Sequence, residues 1–415
     1  MSTPVLTRIF SPDDFGVFAL YISLIGIIST VVTGKYELAI MLPKERVDAA
    51  NIVGLTVIFS LLGSSVLLVI FLLLHDKILM LIGSRSLTNW LLLVPVAVLL
   101  QGLVFSLSYW NNRNKSFGVI AASKVTRGVA APSSSMLFGL IDIKRYGLIL
   151  VHLLGQVLDL LSLLRRAKIK AVVAMMSVRK MKEMAIRYIR FPIYAAPSNL
   201  LNATSLQLPN ILLNRFFNET VVGFYSLAIR ILNIPMTALG TAIGQVFFQK
   251  ASELKNKPAA LSELVRRTFL SLFYIGLVPM SLTLVFGDSI FAFVLGKEWA
   301  IAGRYGMVLS VWLLLVFMGS PISNLIDLLE KQKAGLIFNS IMMVIRIGTL
   351  FAGFLIFRDA YMTIAVFGIA GAALWIIFIS YLLLIAGVNI IKTLSRVIII
   401  FCSFTAFLYF LKFMI

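Results

Sequence analysis

Long apolar runs separated by short charged breaks recur along the whole chain and restrict it to a membrane-spanning helical fold. A helix needs about 20 apolar residues to cross the bilayer core. Twelve runs approach or exceed that length, at 15–34, 50–74, 88–110, 117–140, 145–164, 191–213, 220–247, 265–295, 303–326, 334–357, 362–386 and 395–413. With 60% hydrophobic and 13% charged residues, the chain has too little polar surface to cover a water-facing globule. The sequence therefore predicts an all-α, polytopic membrane protein with about twelve full transmembrane helices.

The first ten residues form a shorter apolar stretch before the first full run. Met1–Phe10 is too short to cross a bilayer and lacks the ordered regions of a signal peptide. We interpret it as the outer half of a further, truncated first helix whose start is missing. Prolines interrupt several of the full runs, which is tolerated where the freed backbone groups face protein or a wet cavity, as in transporters.

Basic residues orient the predicted helices. The chain carries 37 Lys and Arg against 17 Asp and Glu, a net charge of +20. When the 35–48 loop is placed in the cytoplasm, 23 of the 37 basic residues fall in inner segments, ten in outer segments and four inside predicted spans. This distribution follows the positive-inside rule. The basic charge is therefore explained by loop orientation, and we expect no nucleic-acid partner.

Several kinds of chemistry are excluded by what the sequence lacks. Two histidines, His75 and His152, and the single Cys402 cannot build a disulfide framework, a cysteine zinc site, a haem site or an iron–sulfur cluster. No G-x-x-x-x-G-K-[S/T] motif occurs, so no nucleotide-driven pump is encoded. We expect neither a metal nor a cofactor.

A short segment recurs at half the chain length. Residues 8–20 align without a gap with residues 215–227, and identical residues stand at Arg8/Arg215, Phe10/Phe217, Gly16/Gly223 and Leu20/Leu227. Both copies lie in a predicted outer loop that leads into a span of the same direction, although chance similarity between two apolar stretches is the alternative. Parallel repeats imply two similar helical bundles related by a pseudo-two-fold axis along the membrane normal.

The repeat divides the chain into four segments. We predict an N-terminal helical bundle at 1–164, a basic cytoplasmic linker at 165–190, a C-terminal helical bundle at 191–386 and an additional transmembrane helix at 387–415. The linker holds nine basic residues and one acid, Glu183. It is either an amphipathic helix on the anionic inner leaflet or simply a positive loop.

Four stretches resemble one transporter family. They are Leu6-Thr-Arg-Ile-Phe-Ser-Pro-Asp-Asp-Phe-Gly-Val-Phe-Ala-Leu20, Lys35-Tyr-Glu-Leu-Ala-Ile-Met-Leu-Pro43, Gly223-Phe-Tyr-Ser-Leu-Ala-Ile-Arg230 and Gly244-Gln-Val-Phe-Phe248, with Arg190-Phe-Pro192 and Leu208-Pro209 adding support. The resemblance is to the O-antigen type polysaccharide (oligosaccharide) flippases of the multidrug/oligosaccharidyl-lipid/polysaccharide exporter superfamily. It implies two six-helix bundles around a central cavity.

The resemblance also implies a function. Such a flippase moves undecaprenyl-pyrophosphate-linked repeat units from the cytoplasmic to the periplasmic leaflet of the bacterial inner (plasma) membrane, for O-antigen, capsule or exopolysaccharide synthesis. Its partners would be the lipid-linked oligosaccharide, membrane lipids, a polysaccharide polymerase and a chain-length regulator, and it would not be an enzyme. Another exporter of the same fold, for peptidoglycan precursor or drugs, is the first alternative. A membrane polymerase or ligase is disfavoured because no large outer loop carries catalytic groups.

Four cations inside predicted spans are the candidate substrate-binding residues. An unpaired charge at the bilayer centre costs at least about 2.5–3.5 kcal/mol. Each of these cations is therefore expected to have either a functional role or a partner. We expect a wet cationic cavity that holds a pyrophosphate, or else snorkelling and local pairing. Two acids could neutralise a cation or carry a coupling proton. The cations are Lys124, Arg127, Arg230 and Arg346, and the acids are Asp159 and Asp327.

The run 191–213 carries an amide stripe. Its members fall within an arc of about 140° at 100° per residue and are Asn199, Asn202, Gln207, Asn210 and Asn214. These amides either line the cavity and bind sugar hydroxyls, or hold helices together as buried amides do in membrane bundles. Pro209 is expected to break the helix within the stripe.

Overall fold

The protein is helical throughout the part of the chain that its structure describes. The computed structural model describes residues 3–116, 118, 119, 122, 147–166 and 169–414, and no β-strand occurs among them. The predicted all-α fold is therefore confirmed. The chain divides into two compact units, 1–223 and 224–415.

The first unit contains helices of very different lengths. Two of them, α7 and α8, are short and lie in the predicted basic linker. The helices are α1 (Thr3–Ile9), α2 (Pro12–Ile28), α3 (Arg46–Leu73), α4 (His75–Ile82), α5 (Leu93–Arg113), α6 (Gly147–Arg166), α7 (Ile169–Ala174), α8 (Val178–Arg187) and α9 (Ala196–Phe216).

The second unit is built mainly from long apolar helices. Helix α10 begins in the first unit and continues into this one. The helices are α10 (Glu219–Glu253), α11 (Pro258–Leu295), α12 (Ala300–Gly319), α13 (Leu325–Leu328), α14 (Gln332–Phe357), α15 (Ala360–Ile385) and α16 (Ile390–Met414). A 3₁₀ segment at Pro321–Asn324 connects α12 to α13.

Membrane-spanning helices account for most of the predicted runs. Within the described residues, eight helical segments are long and apolar enough to cross a bilayer, and two bent pairs raise the number to as many as ten. The bent pairs are α1 with α2, at 118°, and the two halves of α10, at 46°. The run 117–140 falls almost wholly outside the described residues. Helix α9 has the length for a span, but its amide stripe lowers its hydropathy.

The start of helix α2 is set by a capping box and a proline. Ser11 caps the helix, and the Asp14 carboxylate accepts a hydrogen bond of 2.9 Å from the Ser11 backbone N–H, completing a capping box. Pro12 occupies the first helical position, where its missing N–H costs nothing. These caps explain why α1 and α2 are separate helices.

The two copies of the repeat meet at the start of α2 and of α10. The Thr220 hydroxyl donates a hydrogen bond to the Asp13 carboxylate, and the two residues are 207 positions apart, which is the offset of the repeat. Equivalent positions of the two copies therefore touch each other directly. This contact supports a true repeat over chance similarity.

The predicted basic linker docks on the first unit as two short helices. The Asn51 side chain in α3 donates to the Met175 carbonyl over 3.0 Å and accepts from the Ser177 N–H over 2.7 Å. The buried Met184 of α8 joins the apolar cluster at this end of the unit. Helix α8 contacts α3 and buries Met184. An amphipathic helix on the inner leaflet and a positive loop both stay predictions for this segment.

Helix α9 belongs to the first unit by its packing, although the sequence analysis assigned it to the C-terminal bundle. It packs along α2, and the boundary between the units falls after Gly223. The four segments inferred from the sequence stay a prediction.

The last helix, α16, contacts α11 at a point where the backbone of α11 is irregular. Phe286 has non-helical backbone angles inside α11, and the Lys412 ammonium of α16 donates to the Val285 carbonyl over 2.6 Å. The same ammonium lies 5.6 Å from the centre of the Phe286 ring. Lys412 therefore supplies a hydrogen-bond donor at the point where α11 is irregular.

Candidate functional site

A cavity lined by both polar and apolar residues lies within the second unit. Its volume is about 670 Å³, inside the range of about 300–1,000 Å³ that small-molecule sites occupy. Helix α10, the end of α12, the 3₁₀ segment and α13 form its walls. Its lining residues are Asn233, Gly240, Thr241, Gly244, Gln245, Phe248, Val316, Phe317, Ser320, Pro321, Asn324 and Asp327.

Side-chain amides dominate the polar part of the lining. Asn233, Gln245 and Asn324 each offer both donors and acceptors. The Asn324 amide donates to the Gly244 carbonyl over 3.4 Å, which ties the 3₁₀ segment to α10. A wall of neutral amides suits a ligand with many hydroxyl groups, since each hydroxyl is itself a donor and an acceptor.

Two residues of α10 that line the cavity are glycines, and the space that side chains would fill there is part of the cavity. A Cβ at Gly240 would lie 3.9 Å from the Phe317 ring, and one at Gly244 would lie 3.5 Å from the Asn324 amide nitrogen. Both are ordinary contacts, so a side chain would fit at either position but would extend into the cavity. Phe248 and Phe317 give the cavity its apolar surface.

Asp327 is the charged member of the lining. Of the described residues around the cavity, it alone carries a charge. No Lys or Arg nitrogen of the described chain lies within ion-pair distance of it, whereas the nearby Glu330 pairs with Lys255 at 3.0 Å. The structure thus places one of the two acids predicted from sequence on the cavity wall, without a basic partner among the residues it describes.

Arg230 lies on the same face of α10 as the cavity lining. It precedes Asn233 by three positions, and residues so spaced are neighbours on a helix surface. Its side chain is exposed. A guanidinium in this position can reach a ligand that extends from the cavity along α10.

Arg346 lies over an aromatic ring. Its guanidinium carbon lies 5.6 Å from the centre of the Trp312 ring, and Trp312 packs edge-to-face on Phe367 with ring centres 5.2 Å apart. A cation over an aromatic face gains about 0.5–2 kcal/mol. Arg346 is not part of the cavity lining, and its contact with the Trp312 ring stabilises the charge in a way that the sequence does not predict.

The remaining charged candidates belong to the first unit. Lys124 and Arg127 lie outside the described residues. Asp159 is 5% exposed on α6. The buried Gln156, one turn away on the same helix, donates from its amide to the Gln101 side chain over 3.1 Å. Asp159 therefore lies beside a polar contact between α6 and α5.

Part of the amide stripe of α9 connects two helices. The Ser23 hydroxyl of α2 donates to the side-chain oxygen (Oε1) of Gln207 over 3.0 Å and accepts from the Asn210 side-chain amide over 2.9 Å. The expected break at Pro209 is wrong, because α9 runs unbroken from Ala196 to Phe216. Neighbouring helices can satisfy backbone groups that a proline frees. The contacts of these two amides therefore fit the interpretation that the stripe holds helices together.

The other amides of the stripe differ from one another. The Asn199 amide donates to the carbonyl of Ala195, the residue before α9, over 2.8 Å, and the buried Asn214 donates to the Ile82 carbonyl over 2.9 Å. Asn202 is exposed. The Asn202 side chain is therefore accessible.

Sequence reasoning missed most of the cavity lining. Thr241, Gln245 and Asn324 are single polar residues in apolar helices, and their relation is visible only once α10 packs on the 3₁₀ segment. One signal was present, the spacing of Gly240 and Gly244, because small residues four apart allow close helix approach in membranes. No cluster of His, Cys, Asp and Glu in the described chain has metal-binding geometry.

Two comparisons by sequence give one match and one negative result. A profile of the family described as "Polysaccharide biosynthesis protein" matches residues 5–303. A comparison with curated proteins gave no match.

Solved structures of transporters share the fold. An inward-facing multidrug resistance transporter of the MATE family, within the MOP superfamily, is 13% identical with a TM-score of 0.71, and the alignment covers 93% of this chain and 95% of that one. The lipid II flippase MurJ, in an inward closed conformation, is 11% identical with a TM-score of 0.70 over 99% and 94% of the two chains. A mutant of the Vibrio cholerae MATE transporter VcmN is 14% identical with a TM-score of 0.52 over 92% and 88%. At these identities the likeness shows a common fold.

Proposed function

This chain belongs to the polysaccharide biosynthesis protein family, and on that premise we propose that it is a flippase for lipid-linked oligosaccharides. It translocates undecaprenyl-pyrophosphate-linked repeat units from the cytoplasmic to the periplasmic leaflet by alternating access. The repeat units serve the synthesis of O-antigen, capsule or exopolysaccharide. The flippase catalyses no covalent reaction and works in the bacterial inner membrane, beside a polysaccharide polymerase and a chain-length regulator.

One observation carries this proposal: a cavity of about 670 Å³ in an apolar helical protein, with three amides, two hydroxyls and a carboxylate among its lining residues. Each hydroxyl that enters hydrocarbon without a hydrogen-bond partner costs several kcal/mol. A polar cavity removes that cost for the sugar head group, while the polyprenyl tail stays in lipid.

The cations inside the spans are proposed to bind the pyrophosphate. Guanidinium groups can bind two phosphate oxygens at once. Arg230 is on the cavity face of α10, and Arg346, Lys124 and Arg127 complete the proposed set. Asp159 is proposed to neutralise one of these cations or to carry a coupling proton.

Glycine substitutions test the role of the cavity in export. Gly240→Leu fills the cavity without a backbone clash, because the nearest atoms to an added Cβ are 3.9 Å away. Gly348→Leu is the matched control, since a Cβ there meets nothing within 4 Å and the residue is outside the cavity lining. In cells that lack their own flippase, we expect surface polysaccharide to return with the wild type and the control and to fall at least tenfold with Gly240→Leu. Equal export by the two variants would remove the cavity from the proposal.

A second candidate function is export of another lipid-linked or small substrate. The chain shares its fold with a lipid II flippase and a multidrug transporter, which supports this second candidate function. Expression in cells depleted of their lipid II flippase separates the two. Rescue of growth there, without rescue of surface polysaccharide in flippase-deficient cells, would favour the second function.

A further inference from the structure

The cavity lining favours one end of the proposed substrate. Its amides and hydroxyls are uncharged, and Phe248 and Phe317 provide apolar faces. Neutral groups satisfy hydroxyls well, but they do not compensate a buried ionic group, which needs an opposite charge. The lining thus fits the sugar better than it fits the pyrophosphate.

The position of the cavity along α10 leads to the same assignment. The cavity extends from Asn233 towards Phe248, the part of α10 that precedes the basic residues predicted to lie in the cytoplasm. Arg230 is beyond the other end of this stretch. A substrate that enters from the cytoplasmic leaflet can therefore place its sugar in the cavity and its phosphates towards Arg230.

Asp327 gives the cavity a charge preference. Asp327 lines the cavity and is exposed, and no Lys or Arg of the described residues lies within ion-pair distance of it. The other acid close in sequence, Glu330, is neutralised by Lys255 at 3.0 Å. Asp327 therefore contributes a negative charge to the sugar end.

From these contacts we infer that the cavity binds the sugar and that Asp327 selects uncharged sugars over sugars that carry a carboxylate. The inference rests on the proposed flippase function. The Asp327 carboxylate accepts hydrogen bonds from sugar hydroxyls, as ionised acids do, and it repels the carboxylate of a uronic acid. Two like charges a few ångströms apart in a partly hydrated site are expected to shift affinity about tenfold.

Two substrates that differ in one group test the inference. Polyprenyl-pyrophosphate-linked glucose and its glucuronic acid counterpart differ only in oxidation at the sixth carbon. Binding is measured to the purified full chain in lipid nanodiscs, and translocation is measured separately in proteoliposomes. Both measurements are made on the wild type, on Asp327→Asn and on Glu330→Gln, which removes a neighbouring carboxylate that does not line the cavity.

The expected result is an affinity for the glucose form about tenfold above that for the glucuronic acid form in the wild type. Asp327→Asn should bring this ratio close to one, mainly by improving binding of the acid. Glu330→Gln should keep the wild-type ratio. A ratio near one in the wild type, or a ratio that Asp327→Asn leaves in place, overturns the inference.

Binding and translocation together separate this inference from the function on which it rests. Translocation of both substrates at equal rates, with equal binding, would support a flippase and overturn the selection by Asp327. The expected binding ratios without any translocation would support the sugar site and count against the flippase. Absence of binding by either substrate to a folded protein would overturn the sugar site.

Discussion

Gly16 and Gly223 make the same contact from opposite sides. A Cβ at Gly16 would lie 1.8 Å from the Glu219 carbonyl oxygen, and one at Gly223 would lie 1.9 Å from the Pro12 carbonyl oxygen. Pro12 and Glu219 are themselves separated by the repeat offset of 207, so the two contacts are equivalent. The helix starts of α2 and α10 approach closely because each copy of the repeat has glycine at this position.

Alanine at either glycine is expected to destabilise the first unit. Gly16→Ala or Gly223→Ala brings a methyl group within 2 Å of a backbone oxygen, and the two helices must separate. We expect a loss of about 3 kcal/mol in unfolding free energy, at the upper end for overpacking. Thermal unfolding in detergent measures it, with Gly348→Ala as the control because that position is open. Equal melting temperatures for all three variants would contradict the close approach.

A cysteine pair at Asp13 and Thr220 should form a cross-link. The side chains are in hydrogen-bond contact, so Asp13→Cys with Thr220→Cys in a Cys402→Ser background should give an oxidant-dependent disulfide, seen as a mobility shift after cleavage between the two sites. Neither single cysteine should give it. If export proceeds by alternating access, we expect oxidation to stop it and reductant to restore it. Full export by the cross-linked protein would mean that this contact stays closed throughout transport.

Trp312 and Arg346 should be energetically coupled. The ring and the guanidinium are 5.6 Å apart, and a partly desolvated cation–π pair is worth about 1 kcal/mol. A double-mutant cycle with Trp312→Leu and Arg346→Ala, measured by unfolding, should return about that value. The control cycle uses Trp375→Leu, since Trp375 packs on Phe338 and Phe378, and should give a value near zero. Equal coupling in both cycles would argue against a specific contact.

Leucine substitution should have different effects on stability and export at two amides of α9. Asn210→Leu removes the 2.9 Å bond to Ser23 and is expected to cost about 1 kcal/mol of stability, as interhelical bonds in membranes do. Asn202 is exposed, so Asn202→Leu should leave stability unchanged and lower export several-fold. Unfolding and surface polysaccharide are measured on both variants. A loss of stability without a loss of export for Asn202→Leu would assign that residue to packing as well.

The fold was predictable because its main determinant is local. Each long helix bears a run of apolar residues, and the length of the run sets the length of the helix. Ser11, Pro12 and Asp14 likewise specify the start of α2 through contacts within four residues. The predicted helix break at Pro209 was wrong, because whether a proline breaks a membrane helix depends on the neighbours that satisfy the backbone.

The site was predictable only in part, because its partners are distant in sequence. A mid-span charge such as Arg346 is conspicuous by its cost in lipid, and the sequence predicts it as a candidate site residue on that ground. Its surroundings depend on tertiary packing. Nothing in the chain near Arg346 indicates that Trp312 will cover its guanidinium, and nothing near Gln207 indicates that Ser23 will bind it.

The contact between Asp13 and Thr220 joins equivalent positions of the two copies, and the glycine contacts beside it are reciprocal. This is the arrangement of an isologous interface, in which one surface patch meets a second copy of itself. A chain of half this length, with a single copy of the segment, would therefore carry a self-complementary surface at the start of its first long helix. Such a half would associate as a symmetric dimer through the glycine that here lets the starts of α2 and α10 approach each other.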